Sequence, residues 1–206
     1  TTAGNLAVSF VHFPTSPVRD WPSLSYVAGL ALANTLTEVC RFPADSVRLK
    51  WPNDAFVSGG KVAGLLLETA TTPTGQQALV LGMGLNIETA PVLDRPDYVA
   101  RDLRALGYDG PAKAVVLGLI HAWADAVRRF DLETGTRTQI FNDWQAKALY
   151  LNEDITVRLD GSNTIRGQFI GLDSLSGALK LKLNSGEIRT ILAGDVMLDA
   201  ASPRNE

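Results

Sequence analysis

The sequence is poor in the residues that build metal and disulfide chemistry: one cysteine, Cys40, and two separated histidines, His12 and His121, in 206 residues. A single cysteine excludes an internal disulfide, and two isolated histidines give no zinc-ligand spacing. Cys40 therefore reads as a small core hydrophobe. No apolar run reaches the roughly 18 residues needed to cross a bilayer, and no signal-peptide pattern opens the chain, so a cytoplasmic protein is expected. Basic residues are not in excess: 19 Lys and Arg stand against 22 Asp and Glu, for a net charge of −3. That balance argues against nucleic-acid phosphate as the main partner. Nothing completes a P-loop or dinucleotide fingerprint, since Gly82-Met83-Gly84 is a bare Gly-x-Gly whose glycines suggest a bulge or a close backbone approach.

What is present is enough apolar material for a core, with 46% hydrophobic and 20% charged residues in the range of globular proteins. The length permits one domain of ordinary size plus a small second one. The most informative stretch is Lys50-Trp51-Pro52-Asn53-Asp54, followed by Ser58-Gly59-Gly60-Lys61-Val62-Ala63-Gly64-Leu65-Leu66-Leu67-Glu68. Val47 to Trp51 alternates apolar with basic residues, the period of a half-buried strand, and Pro52 ends it. Asn53 and Asp54 then fall at a strand end. Phe56-Val57 and Val62 to Leu67 read as two further strands.

A turn centred on Gly59-Gly60 would pair Ser58 with Lys61 and Asp54 with Leu65. That register predicts Asp54 and Lys61 four residues apart along the hairpin, about 13 Å, at opposite ends of an elongated ligand. The residues alone also fit solvated lysines and a plain turn.

Elsewhere, Thr1 to Phe13 predicts a strand, Pro22 to Arg41 a helix with Trp21 packing at its entry, and Ala78 to Ile87 a buried strand. Asp94 to Leu106 predicts a short helix ending at Gly107, Ala112 to Phe130 a longer one with His121 solvated, and Thr138 to Leu149 a last helix with Trp144 in the core. From Leu151 the texture changes to short strands and regular turns, placing a domain boundary there.

The run Lys50-Trp51-Pro52-Asn53-Asp54, then Lys61 to Glu68, then Gly82-Met83-Gly84-Leu85-Asn86, resembles biotin–protein ligases in wording, spacing and order. The resemblance implies an α+β fold: a mixed or antiparallel sheet with flanking helices over 1–150, and a small SH3-like β-barrel over 151–206 ending in Ala193-Gly194-Asp195-Val196, where the family usually has glutamate in place of Asp195. It implies an enzyme that joins biotin and ATP, with Mg²⁺, into biotinyl-5′-AMP and passes the biotinyl group to a lysine of a biotin carboxyl carrier protein.

On the same resemblance, Lys61 is the catalytic residue, and Lys50, Trp51, Asn53, Asp54, Gly64, Leu65, Gly84 and Asn86 join it in holding biotin or the adenylate. A homodimer is compatible with it. The family also carries a Gly/Arg-rich loop and a Ser-Thr-Asn segment before the equivalent of Gly4-Asn5-Leu6. Neither lies in these residues, so a fragment not competent alone is expected. A lipoate–protein ligase and a non-catalytic biotin- or adenylate-binding regulator are the alternatives.

Overall fold

The computed structural model describes residues 4–92, 98–132, 136–160 and 162–198. The described residues form two sheets and three α-helices, with a short 3-10 helix, Val18–Ser23, leading into the first. The main sheet takes β1 (Leu6–His12), β2 (Val47–Lys50), β3 (Asp54–Val57), β4 (Gly60–Thr71) and β5 (Gln77–Leu85) in the spatial order β1-β5-β4-β3-β2, all antiparallel. A short β6 (Val99–Ala100) runs parallel to the start of β4.

Strand alternation decides which face is covered. Leu49, Ala55, Ala63, Leu65, Met83 and Leu85 are buried on one face, against helix α1 (Leu24–Glu38). α1 lies between this sheet and the helices α2 (Ala112–Leu132) and α3 (Thr136–Ala146), so it is apolar on nearly every side, as a helix without a solvent face must be. Gly29 lets the Trp144 ring approach, since a Cβ there would stand 3.2 Å from Trp144 Nε1. Trp144, Trp21 and Cys40 are buried, and His121 is exposed, as the sequence predicts. Burial pushes the Cys40 thiol up to about 11, which leaves almost no nucleophilic thiolate near neutral pH.

The second sheet contains β7 (Asp154–Asp160), β8 (Asn163–Leu172), β9 (Leu179–Lys182), β10 (Ile188–Ile191) and β11 (Asp195–Leu198), in the order β10-β9-β8-β7-β11. These strands form one antiparallel five-stranded sheet, and no ladder joins β10 to β11 among the described residues, so closure of the expected SH3-like barrel is not shown. The apolar core is continuous from Leu32 and Leu49 to Val157, Phe169 and Leu181. Tyr26 fastens the two sheets: its hydroxyl donates to Gly177 O, accepts from Trp51 Nε1 at 3.1 Å, and its ring meets Phe141 and Trp144 edge-on. Gln145 adds a second tie by accepting from Leu172 N at 2.8 Å.

Two sequence expectations fail here. The hairpin turn is Ser58-Gly59, with φ of 47° and 77°, and not Gly59-Gly60. Positive φ at both central positions matches the twist of flanking strands, and Ser58 adopts it although it carries a side chain. The helix predicted over Asp94–Leu106 is not formed in its described part, 98–106, where β6 and a turn stand instead; 94–97 lie outside the described residues. The apolar positions Val99 and Leu103 mimic a helical period, but Val99 is exposed at the sheet edge while Leu103 is buried.

Candidate active site

Directly opposed residues on neighbouring strands share a face. The register therefore lines up one row across the main sheet on the face away from α1: Lys50, Asp54, Gly64, Gly84 and Ala7. The next row carries Leu66, Gly82 and Ser9. Three glycines thus leave bare backbone in the middle of this face, and a Cβ on Gly84 would meet nothing within 4 Å. This is a floor on which a flat ligand can rest against backbone.

Lys61 reaches the same face through an irregularity. It lies three residues before Gly64, which in a regular strand would put the two side chains on opposite faces. The ladder shifts between Ala55 and Phe56, so Phe56 faces Lys61 and Val62 is the extra residue. One added residue reverses the alternation. The lysine side chain then runs back over Gly64, whose missing Cβ would lie 3.7 Å from Lys61 Cε and Nζ and 3.4 Å from Asp54 Oδ1. Lys61 Nζ ends 2.6 Å from Asp54 Oδ1.

The expected separation of about 13 Å is therefore wrong. It assumed the turn one residue later and followed backbone positions only, whereas the bulge and a long side chain bring ammonium and carboxylate into contact. They form one centre, not two ends of a ligand.

Further charges close around this centre. Lys50, with a side chain 4% exposed, meets Asp195 Oδ1 at 3.2 Å. The Tyr98 ring stands 5.1 Å from Lys61 Nζ and 5.6 Å from Lys50 Nζ, and packs edge-on against Phe56. Cations near an aromatic face gain electrostatic attraction. The Arg101 stem covers Gly60, and Arg101 N donates to Lys61 O at 2.8 Å. Tyr98 and Arg101 were missed in the sequence because their stretch carries a helical period. Asp195 was singled out only for its length.

The remaining expected residues divide by what they already do. Asn53 Nδ2 donates to Leu65 O at 2.6 Å and Asn53 O accepts from Leu65 N at 2.9 Å, so Asn53 pins β4 beside Asp54. The Leu65 side chain points into the core, as does Trp51, which is 2% exposed. Asn86 sits where β5 ends, its Nδ2 donating to Arg101 O at 3.2 Å. A cavity of about 420 Å³ lies elsewhere, lined by Trp21, Tyr26, Trp51, Pro52, Leu67 and Leu192 among others. It includes neither Lys61 nor Asp54. No group of three or more His, Cys, Asp or Glu able to hold a metal ion occurs among the described residues, and no helix there is long and apolar enough to cross a membrane.

The main sheet thus carries a lysine–aspartate pair over a glycine floor and is fastened to a second small sheet. Residues 1–86 match the family model for the biotin/lipoate A/B protein ligase family, and residues 150–199 match the biotin protein ligase C-terminal domain. The biotin–[acetyl-CoA-carboxylase] ligase of Paracoccus denitrificans is 37% identical over 187 residues, covering 89% of this chain and 76% of that protein. The corresponding ligase of Mycobacterium tuberculosis is 33% identical over 88% of this chain and 64% of its own length, so the chain spans less than two thirds of that relative. Among solved structures, the biotin protein ligase of Aquifex aeolicus in complex with biotin and ATP superposes with a TM-score of 0.75 at 26% identity, over 94% of this chain and 77% of that one. The chain belongs to the biotin–protein ligase family.

Proposed function

We propose that this chain carries the adenylation and transfer centre of an ATP-dependent biotin–protein ligase, working in the cytoplasm where ATP and carrier proteins meet. A catalytic unit over 1–150 and a C-terminal unit over 151–206 are supported by the change in texture at Leu151 and by the two separate family matches. The observation that carries the reading is the Lys61–Asp54 pair, 2.6 Å apart beside Gly64 and Gly84.

In the first step a biotin carboxylate oxygen attacks the α-phosphorus of ATP. An O–P bond forms, the α–β bridging bond breaks, and pyrophosphate leaves with the electron pair. Two anions must meet, and a fixed ammonium at their junction lowers that barrier more than it would in bulk water. Lys61 supplies the ammonium and Asp54 fixes its direction, so little reorganisation is left for the moment of reaction. Lys50 adds a second cation. The glycine floor lets the acyl-adenylate lie close enough to reach Lys61. In the second step the neutral amine of a carrier-protein lysine attacks the acyl carbon, the C–O bond to phosphate breaks, and AMP leaves. This chain therefore needs no nucleophile of its own.

Magnesium fits as a companion of the triphosphate. The carboxylates near the centre, Asp54 and Asp195, are each paired with a lysine, so the ion would be held chiefly by phosphate oxygens, as is usual for Mg²⁺, with Asp54 the nearest protein donor. When bound, it neutralises phosphate charge.

The test is biotin-dependent exchange of pyrophosphate into ATP, measured with the full-length protein. Exchange supported by biotin but not by lipoate is expected. Exchange with lipoate alone would point to the lipoate-ligase reading, and tight biotin binding without any exchange to the non-catalytic one.

A further inference from the structure

The register places Lys50 directly opposite Asp54, and opposed residues of opposite charge pair readily across a ladder. Asp54 is nevertheless held by Lys61, and Lys50 turns instead to Asp195 on β11 of the second sheet. Both ammonium groups stand against the same Tyr98 ring. Asp54 thus stands opposite one lysine and in contact with another, and only Lys61 is placed at the junction of the two anions. Lys50 is too deeply buried to turn to water, so without Asp195 its charge must find another acceptor. The carboxylate facing it across the strand pair is Asp54.

We propose that Asp195 is a positioning residue: by holding Lys50 from the second sheet, it keeps Lys50 off Asp54 and reserves Asp54 for Lys61. The inference rests on the reading of Lys61 as the catalytic cation and adds the control of its partner. The seating of β11 against the main sheet then sets the direction of Lys61. When β11 moves away, Lys50 takes Asp54 and the Lys61 side chain regains the rotamer freedom that the pair had removed.

The direct test is a crystal structure of the Asp195→Asn chain without ligand. Lys50 Nζ is expected on Asp54, with Lys61 displaced; an unchanged Lys61–Asp54 contact would overturn the proposal. In pyrophosphate exchange, Asp195→Asn is expected to lower the rate about tenfold or more, the scale on which misdirected catalytic groups act. The same change made in a Lys50→Met background is expected to have no further effect. An equal loss in both backgrounds would show that Asp195 acts by some other route. Asp195→Glu, which keeps the charge, is expected to retain both ion pairs and the rate. Should Asp195→Asn not fold, the structure of Lys50→Met/Asp195→Asn decides: the Lys61–Asp54 contact must persist there, and its loss would overturn the proposal. The crystallographic readout requires no activity, so a wild type without exchange would count against the ligase function and leave this test standing.

Discussion

Lys61 Nζ and Asp54 Oδ1 are in contact at 2.6 Å although their residues sit on different strands and at different register positions. The bulge at Val62 and the missing Cβ of Gly64 together make this contact possible. Asp54 therefore acts on the reaction through Lys61, and the effect of its removal should not be confined to one substrate. Asp54→Asn is expected to raise the KM for biotin and for ATP together and to lower kcat. Steady-state kinetics with each substrate varied in turn would show it, and a change confined to ATP would restore the two-ended arrangement that the sequence suggested.

Gly84 separates binding from folding. A Cβ there meets no neighbour within 4 Å, and a β-branched residue suits a strand. Gly84→Val should leave the unfolding free energy within about 0.5 kcal/mol of wild type. It should also cover the floor and weaken biotin or adenylate binding at least roughly tenfold, about 1.4 kcal/mol. Calorimetric titration beside a denaturation curve reads both quantities. Normal binding in a well-folded Gly84→Val would move the ligand off this face.

Gly64 is a tighter position. An alanine Cβ would enter ordinary contact with Asp54 Oδ1 and the end of Lys61, whereas valine would add methyl groups where the lysine stem lies. Gly64→Ala is expected to keep much of the activity and Gly64→Val to lose most of it. The ratio of the two rates in pyrophosphate exchange is the informative number, and equal rates would mean that the Lys61 stem does not need this passage.

Tyr26 should contribute to the loss of stability at high pH. Burial pushes its phenol up to about 12 from an ordinary 10, while the Trp51 hydrogen bond works in the opposite direction. The folded value is the raised one, so the stabilisation is fully present below pH 10, declines as pH rises toward 12, and the whole loss is about 2–3 kcal/mol. Tyr26→Phe removes this titration. It also strands Trp51 Nε1 and Gly177 O, at a cost of about 1–3 kcal/mol at neutral pH. Denaturation curves of both proteins between pH 8 and 12 should therefore converge as pH rises, and parallel curves would remove Tyr26 from the alkaline transition.

The parts of the fold that repeat a simple period were legible in the sequence. α1, α2, the strands from Leu6 to Leu85 and the five of the second sheet all announce themselves by apolar spacing. The motif residues Lys50, Asp54, Lys61, Gly64 and Gly84 were legible as a set. Their geometry was not, because a bulge changes which face a residue occupies without leaving a mark in composition: Val62 looks like any strand valine. Tyr98 and Asp195 were hidden for another reason. Tyr98 reaches the site from the residue before a short parallel strand and Asp195 from the second sheet, and contacts over such separations follow from docking and not from local pattern.

The most direct measurement is a crystal structure of the protein with biotinyl-5′-AMP. The acyl-phosphate oxygens are expected within hydrogen-bonding distance of Lys61 Nζ, with the ligand lying over Gly64 and Gly84 and Lys61 still on Asp54. A ligand seated instead in the cavity beneath Trp51 and Tyr26, or one whose phosphate stays beyond roughly 4 Å from Lys61 Nζ, would contradict the assignment.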